Sequence, residues 1–217
     1  ISCEEEARLT LQGCSPLLDR RRPLGLMFDI GGGSTELIWL RTAGKYPELV
    51  DSISIPFGVL NLTERYGENS ICSQESYEKI VDEIEERLRV FCHRHQIAAA
   101  VLNGDVQMLG ASGTVTTLAS VSLDLQRYDR SVVDGAILNF EEFNLVSDRL
   151  RGMACAERAE HPCIGNERAA LVVAGCAVLD AIMRRWSVGK IRVADRGVRE
   201  GILFDLMREA DAVFEGV

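Results

Sequence analysis

The sequence predicts a mixed α/β domain whose sheet opens with antiparallel strands and continues as strands alternating with helices. Three observations lead there. Short apolar runs at Leu24–Phe28 and Glu36–Leu40 flank a triple-glycine turn, the pattern of two strands joined tightly. Later segments place apolar residues at helical spacing between short alternating runs. The chain has 217 residues, 47% hydrophobic and 26% charged, enough for one large domain or two small ones with a real core and unlike a disordered chain.

Taken in order, Glu4 to Leu9 begins a helix for which Ser2 is a fitting N-cap. Leu24–Phe28 forms a strand that runs into Asp29 and three glycines, and Glu36–Leu40 returns beside it. Leu49–Phe57 alternates as a third strand, closed by Pro56 and Gly58. From Gln74 to His95 the period changes: Tyr77, Ile80, Val81, Ile84, Leu88 and Phe91 share one face, as in an amphipathic helix covering a sheet. Val106–Leu109 is a short strand entering Gly110-Ala111-Ser112-Gly113-Thr114, and Thr116–Val121 is helical. Phe140–Met153 is a second amphipathic helix, and Asn166–Arg184 a third, apolar on most sides and therefore central. Lys190–Ala194 alternates as a strand, Asp195-Arg196-Gly197 makes a turn, and Arg199–Arg208 closes the chain as a helix. There is no internal repeat, low-complexity tract or long linker.

The net charge of −9 argues against nonspecific nucleic-acid binding, which needs clustered Lys and Arg. It leaves small phosphate-rich ligands open, because backbone N–H groups and a metal ion can hold anions inside an acidic protein. No run approaches the roughly 20 apolar residues of a membrane span, so neither nucleic acid nor membrane is an expected partner. The first residue is Ile1 and a charged run (Glu4, Glu5, Glu6) follows, which reads as a start inside a longer gene product. The seven cysteines (Cys3, Cys14, Cys72, Cys92, Cys155, Cys163, Cys176) are odd in number and scattered, as for reduced thiols in a cytoplasm. No C-x-x-C pair exists, and neither His93/His95 nor Cys155, His161, Cys163 has a common zinc spacing.

The most informative segment is Asp29-Ile30-Gly31-Gly32-Gly33-Ser34-Thr35-Glu36. Gly31, Gly32 and Gly33 let backbone N–H groups approach a phosphate with no Cβ in the way, and Ser34 and Thr35 can add hydroxyl donors. Asp29, at a strand end, can hold Mg²⁺ directly or through water, and Glu36 can face the same cleft. The plain alternative is a tight hairpin. It is not a Walker loop or a dinucleotide fingerprint. In the second turn Gly110, Ser112, Gly113 and Thr114 lie at a helix N-terminus that favours anions, although Ser112 or Thr114 can equally be an N-cap. The third turn, Asp195–Gly201, brings charged groups to the same strand ends, unless Arg199 and Glu200 merely begin the closing helix.

With these turns in order, the chain resembles the exopolyphosphatase/guanosine-pentaphosphate phosphohydrolase family of the actin-like ATPase superfamily. The resemblance rests on ISCEEEARL (1–9), DIGGGSTEL (29–37), SISIPFGVLNLTERY (52–66), GASGT (110–114) and ADRGVREG (194–201). It implies a ribonuclease-H-like domain, the second of two that face each other across a cleft, with residues 1–217 forming that second domain and the first not in this chain. It places the catalytic glutamate on Glu6, with Glu5 beside it, and makes Asp29 and Glu36 the acidic pair for Mg²⁺ and the lytic water. Cys3 stands where the family usually has Gly. The implied reaction is release of the terminal phosphate from polyphosphate or pppGpp in the cytoplasm, with a homodimer also in keeping with the family. Two other readings compete: an actin-like kinase or Hsp70-type ATPase, whose ISCEEEARL and ADRGVREG counterparts differ, and a noncatalytic sensor of polyphosphate or (p)ppGpp.

Overall fold

The apolar runs and turns of the sequence assemble around one central strand, β1 (Leu24–Ile30), buried on both faces along most of its length. The structure, a computed structural model, describes the chain apart from Lys45, residues 68–70, Cys72 and residues 216–217, and it describes no side chain for Cys3 or for residues 209–215. Helix α1 (Cys3–Cys14) comes first, with the Ser2 hydroxyl accepting from the Glu5 N–H at 3.1 Å, the expected cap. β1 then pairs antiparallel with β2 (Thr35–Arg41), and β2 with β3 (Glu48–Ile55). Helix α2 (Val59–Tyr66) follows, and then the long α3 (Gln74–Arg94) carries the chain back over the sheet. This crossover lets β4 (Val106–Gly110) lie parallel to β1. The larger elements that remain are helix α4 (Gly113–Ser122), a three-residue strand β5 (Ile137–Asn139), α5 (Phe140–Gly152), α6 (Val172–Arg185), β6 (Lys190–Val193) and α7 (Val198–Glu215); short helical segments lie at Ser15–Leu17, Ile97–Leu102, Arg130–Val133, Cys155–Glu160 and Asn166–Ala169.

The result is a six-stranded mixed sheet in the order β3-β2-β1-β4-β6-β5, with β1, β4 and β6 parallel and β5 antiparallel at the edge. Alternation along β1 sends Leu26, Phe28 and Ile30 to the face covered by α3, α4 and α6, where the larger core lies. Met27, together with Ile38, Leu40 and Leu109, faces α1 in a smaller core with Ala7, Leu11 and Leu18. Fully burying an apolar side chain of this size stabilises by about 1.5–3 kcal/mol, so the two clusters fix the sheet between its helical layers. The expected fold class is thus the observed one: α/β, antiparallel at its start, with flanking helices.

The segment expected as one helix from Asn166 to Arg184 is divided into Asn166–Ala169 and α6, with an i→i−3 bond from the Leu171 N–H to the Arg168 carbonyl (3.0 Å) at the joint. Helix α2 and strand β5 lie where no element was expected. β5 is too short to show alternation, and α2 is fixed by what its first turn touches. α7 extends beyond Arg208 to Glu215. Five cysteines, Cys14, Cys92, Cys155, Cys163 and Cys176, carry free thiols; Cys72 lies outside the described residues. No helix of the described chain is long and apolar enough to cross a membrane.

Candidate phosphate-binding cleft

The first glycine turn links β1 to β2, and its peptide planes are set by α2. The Val59 N–H donates to the Gly31 carbonyl at 3.0 Å and the Leu60 N–H to the Gly32 carbonyl at 2.8 Å. Gly58 must be glycine, because a Cβ there would stand 2.3 Å from the Gly32 oxygen. Inside the turn the Gly31 N–H donates to the Ser34 carbonyl at 2.9 Å. With their carbonyls held on one side, Gly32, Gly33 and Ser34 keep N–H groups that donate to no group among the described residues. The two hydroxyls take different courses. Ser34 donates to Glu36 Oε1, and Ser54 donates to the same oxygen at 2.9 Å. Thr35 departs from the expected role as a ligand donor: it is fully buried, and its hydroxyl donates to the Phe57 carbonyl at 2.7 Å, away from the cleft.

The second turn stands one strand away. Gly110 ends β4, where a Cβ would come 2.8 Å from the Phe28 ring, and the Ala111 N–H donates to the Phe28 carbonyl at 2.8 Å. Ser112 caps α4 by accepting from the Val115 N–H at 3.0 Å, so its side chain does what the plainer alternative held. Gly113 and Thr114 are the first residues of α4, and their N–H groups have no intrahelical partner. They therefore present donors at the positive end of a ten-residue helix. Thr114 packs its side chain against Gly175 of α6, where a Cβ would lie 2.5 Å from its Cγ2. Arg168 was not anticipated. Its guanidinium donates to Thr117 Oγ1 at 2.7 Å and reaches the Gly113 carbonyl at 3.5 Å, placing a cation beside the second turn. The only trace in the sequence is an arginine three residues after Gly165, at the start of an apolar stretch.

Three acidic residues line one small void between α1 and the sheet: Glu6 from α1, Asp29 from β1 and Glu36 from β2. Asp29 and Glu36 are register partners across the hairpin. Burial, then the charge of Glu36, then that of Glu6 push the Asp29 carboxyl up to about 7. Among the described residues no Lys or Arg pairs with Asp29, Glu6 or Glu36. Glu5 points elsewhere. Its carboxylate accepts from Arg8 Nε at 3.0 Å and Nη2 at 2.9 Å, and Arg8 continues to Asp205 of α7 at 2.7 Å.

The third turn walls the cleft at the end of β6. The Gly197 N–H donates to Glu200 Oε2 at 2.8 Å, and Glu200 also pairs with Arg130 at 2.8 Å, so Glu200 serves mainly to begin α7. Arg196 is clamped by Asp134 through two bonds of 2.7 and 2.6 Å. A hollow of about 280 Å³ opens between the turns, lined by Asp29, Ser112, Gly113, Asp195 and Arg199 among others. A second hollow of about 180 Å³, with Gly31, Gly32, Thr114 and Arg168 in its wall, meets it at Gly113. The structure thus brings Glu6, Asp29, Glu36, Gly31–Ser34 and Gly110–Thr114 to the carboxyl ends of β1 and β4, with the Thr35 hydroxyl turned away, the Ser112 hydroxyl used as a helix cap and the Thr114 side chain packed against Gly175.

The donor set suits a hard cation. Asp29 and Glu36 are oxygen donors, and the raised pKa of Asp29 marks clustered carboxylates with which no cation pairs among the described residues. Among the described residues no three His, Cys, Asp or Glu side chains enclose a metal by themselves. Mg²⁺ needs no more than one or two carboxylates, with water and substrate phosphate in its other positions.

A mixed sheet of this order, with glycine turns at the carboxyl ends of its central parallel strands, defines a ribonuclease-H-like domain of the actin-like ATPase fold. The chain belongs to the Ppx/GppA phosphatase family, whose sequence model matches residues 1–210. Similar solved structures include an exopolyphosphatase-like protein, 28% identical with a TM-score of 0.83 over 95% of this chain and 65% of that one. The Aquifex aeolicus Ppx/GppA family member is 24% identical, with a TM-score of 0.79 over 96% of this chain and 64% of its own. An exopolyphosphatase from Cytophaga hutchinsonii shows 22% identity and a TM-score of 0.80, covering 96% and 65%. The chain therefore spans about 65% of the length of these relatives.

Proposed function

We propose that this chain is the second lobe of a phosphohydrolase that releases terminal phosphate from inorganic polyphosphate or from pppGpp. The observation that carries the proposal is the meeting of Glu6, Asp29 and Glu36 in one void, with Asp29 also lining the hollow at the second turn and Asp29 and Glu36 flanking the first, whose Gly32, Gly33 and Ser34 N–H groups have no partner among the described residues. Family membership supports the reaction class, and the names of the relatives support the substrate class.

The chemistry follows from the positions. The N–H groups of Gly32, Gly33 and Ser34 on one side and of Gly113 and Thr114 on the other bind the oxygens of a terminal phosphate and hold its phosphorus in place. Phosphoryl transfer depends mostly on such positioning and charge stabilisation. Glu6, with no cation partner, accepts a proton from a water lined up behind the phosphorus, a contribution of roughly 10²–10⁴-fold for a general base. Ser34 and Ser54 fix the Glu36 carboxylate by holding one of its oxygens. Mg²⁺, held by Asp29 and Glu36, would neutralise charge on the phosphate oxygens. In this reading the remaining wall of the cleft comes from the part of the relatives that this chain does not span.

Phosphate release from polyphosphate and from pppGpp with Mg²⁺, measured on the full-length gene product and on residues 1–217, tests this reading. Release by the full-length protein alone is expected, and the faster substrate identifies the specificity. A folded full-length protein that binds both and hydrolyses neither would replace the phosphatase with a sensor.

A further inference from the structure

A larger hollow lies at the opposite end of the sheet, at the amino ends of the parallel strands. Its volume is about 570 Å³, against about 280 Å³ for the hollow above Asp29. The walls come from the turn before β1 and from the first residues of β4 and β6. At about 3.3 Å per residue, β4 and β6 separate it from the glycine turns by roughly 15 Å. It is a different place from the proposed reaction site.

The lining carries four cations, Arg21, Arg22, Lys190 and Arg192, and one carboxylate, Asp19. That carboxylate is already engaged: Arg21 binds it with two bonds of 2.9 Å. Arg22 donates to the Gly104 carbonyl, and Arg192 to the Gly135 carbonyl at 3.4 Å. These carbonyls orient the guanidinium groups without neutralising them. Lys190 is exposed and forms no ion pair among the described residues. Lys190 and Arg192 lie two apart on one strand and so project from the same face. The Gln107 amide, bonded to the Asp19 backbone at 2.7 and 2.8 Å, holds the wall beside them. Three uncompensated positive charges thus surround one hollow in a chain of net charge −9. Repulsion among them is relieved by a bound anion of matching charge.

We propose that this cavity binds a ligand carrying linked phosphate groups, as a site separate from the cleft at Asp29. Guanidinium forks and a lysine at one rim are the groups that recognise adjacent phosphates. The apolar floor, which includes Met108 and the half-exposed Ile137, leaves room for a base, so both inorganic and nucleotide sources share the recognising chemistry.

Calorimetric titration of the full-length protein with inorganic tripolyphosphate and with guanosine triphosphate, both in EDTA to prevent turnover, tests the site. The wild type is expected to show two classes of site, and Lys190→Gln/Arg192→Gln to weaken one of them at least about tenfold while the other stays unchanged. An identical isotherm for this double variant would overturn the proposal. If the double variant melts early, the exposed single change Lys190→Glu makes the same comparison, with the same loss expected and the same null isotherm decisive. Equal affinity for the two ligands assigns recognition to the phosphates, and tighter binding of the nucleotide assigns the apolar floor to its base. The outcome is independent of phosphate release, so failure of the phosphatase reading leaves this test intact.

Discussion

Asp29 and Glu36 are paired residue to residue across the β1–β2 hairpin, two carboxylates held face to face at the end of adjacent strands. Cross-strand neighbours of like charge repel, and a fold tolerates such a pair only where something else is gained. Here the pair concentrates negative charge at the end of the hairpin that carries the first glycine turn. The arrangement follows from a turn of four residues between the partners Ile30 and Thr35, which brings the flanking acids into register.

That relationship has a signature in stability. Asp29 titrates at about 7 in the folded chain against an ordinary value of 3.8, so between about pH 4 and pH 7 the native state holds a proton that the unfolded state has lost. Unfolding free energy therefore falls as pH rises through this window and levels off above it, by an amount on the order of 4 kcal/mol. Asp29→Asn, neutral throughout, is expected to remove most of this slope and to melt several degrees above the wild type at pH 8. Mg²⁺ should raise the pH 8 melting temperature of the wild type and leave that of the variant unmoved. Thermal melts at pH 5 and pH 8, with and without Mg²⁺, check all of it; a variant as pH-sensitive as the wild type would remove Asp29 as the source.

Glu6 reaches the site only because α1 lies very close to α7. A Cβ on Gly201 would stand 2.0 Å from the Leu9 carbonyl oxygen, and one on Gly13 would stand 2.2 Å from the Gly197 oxygen. These obstacles are backbone atoms and cannot rotate aside. Gly201→Ala is therefore expected to force the helices apart, at about 3 kcal/mol or more, lowering the melting temperature and disturbing Glu6. Gly197→Ala, whose added Cβ meets no heavy atom within 4 Å, is the control and should melt like the wild type. Equal melting of the two alanine variants would show that the contact is not tight.

Much of this was legible in the sequence, and the omissions have physical causes. Strands β1–β3 and helix α3 announce themselves by period and by glycine or proline ends, because local pattern and burial agree there. Strand β5 does not, since three residues cannot show alternation and its place is set by pairing with β6. The Gly31–Ser34 segment was readable as a tight glycine turn between two strands, but the direction of each hydroxyl was not. Thr35 turns inward to Phe57, a residue 22 positions away, and no local rule contains that partner. Arg168 was missed for the same reason: its meaning comes from Thr117 and Gly113, on an element 51 and 55 residues earlier.

The two neighbouring hydroxyls should separate under mutation. Thr35→Val keeps the shape but leaves the buried Phe57 carbonyl without its 2.7 Å partner, a loss of about 1–3 kcal/mol in stability. Its activity at 20 °C should remain near that of the wild type. Ser34→Ala, on the partly exposed side, should melt normally yet lower kcat, because Glu36 loses one of the two hydroxyls that hold it. Urea unfolding and phosphate release on both variants check the pair, and a reversal of the two phenotypes would mean that Thr35 faces the ligand.

Glu5 and Glu6 offer the sharpest discrimination, because the roughly 100° between neighbours on a helix gives two adjacent identical residues different surroundings. Glu5 is held outward by Arg8, an exposed i,i+3 pair whose removal costs little because solvent screens it. Glu6 shares its void with Asp29 and Glu36 and has no such partner among the described residues. Glu5→Gln should therefore retain nearly full turnover in the full-length protein. Glu6→Gln keeps the side-chain volume but cannot accept the proton, so kcat should fall roughly 10²–10⁴-fold while substrate affinity is kept or improves, since a negative charge near the polyanion is gone. Single-turnover phosphate release, paired with equilibrium binding of the uncleaved substrate, separates the two effects. Normal turnover in Glu6→Gln together with loss in Glu5→Gln would shift the reactive face of α1 by one residue, and normal turnover in both would take α1 out of the chemistry.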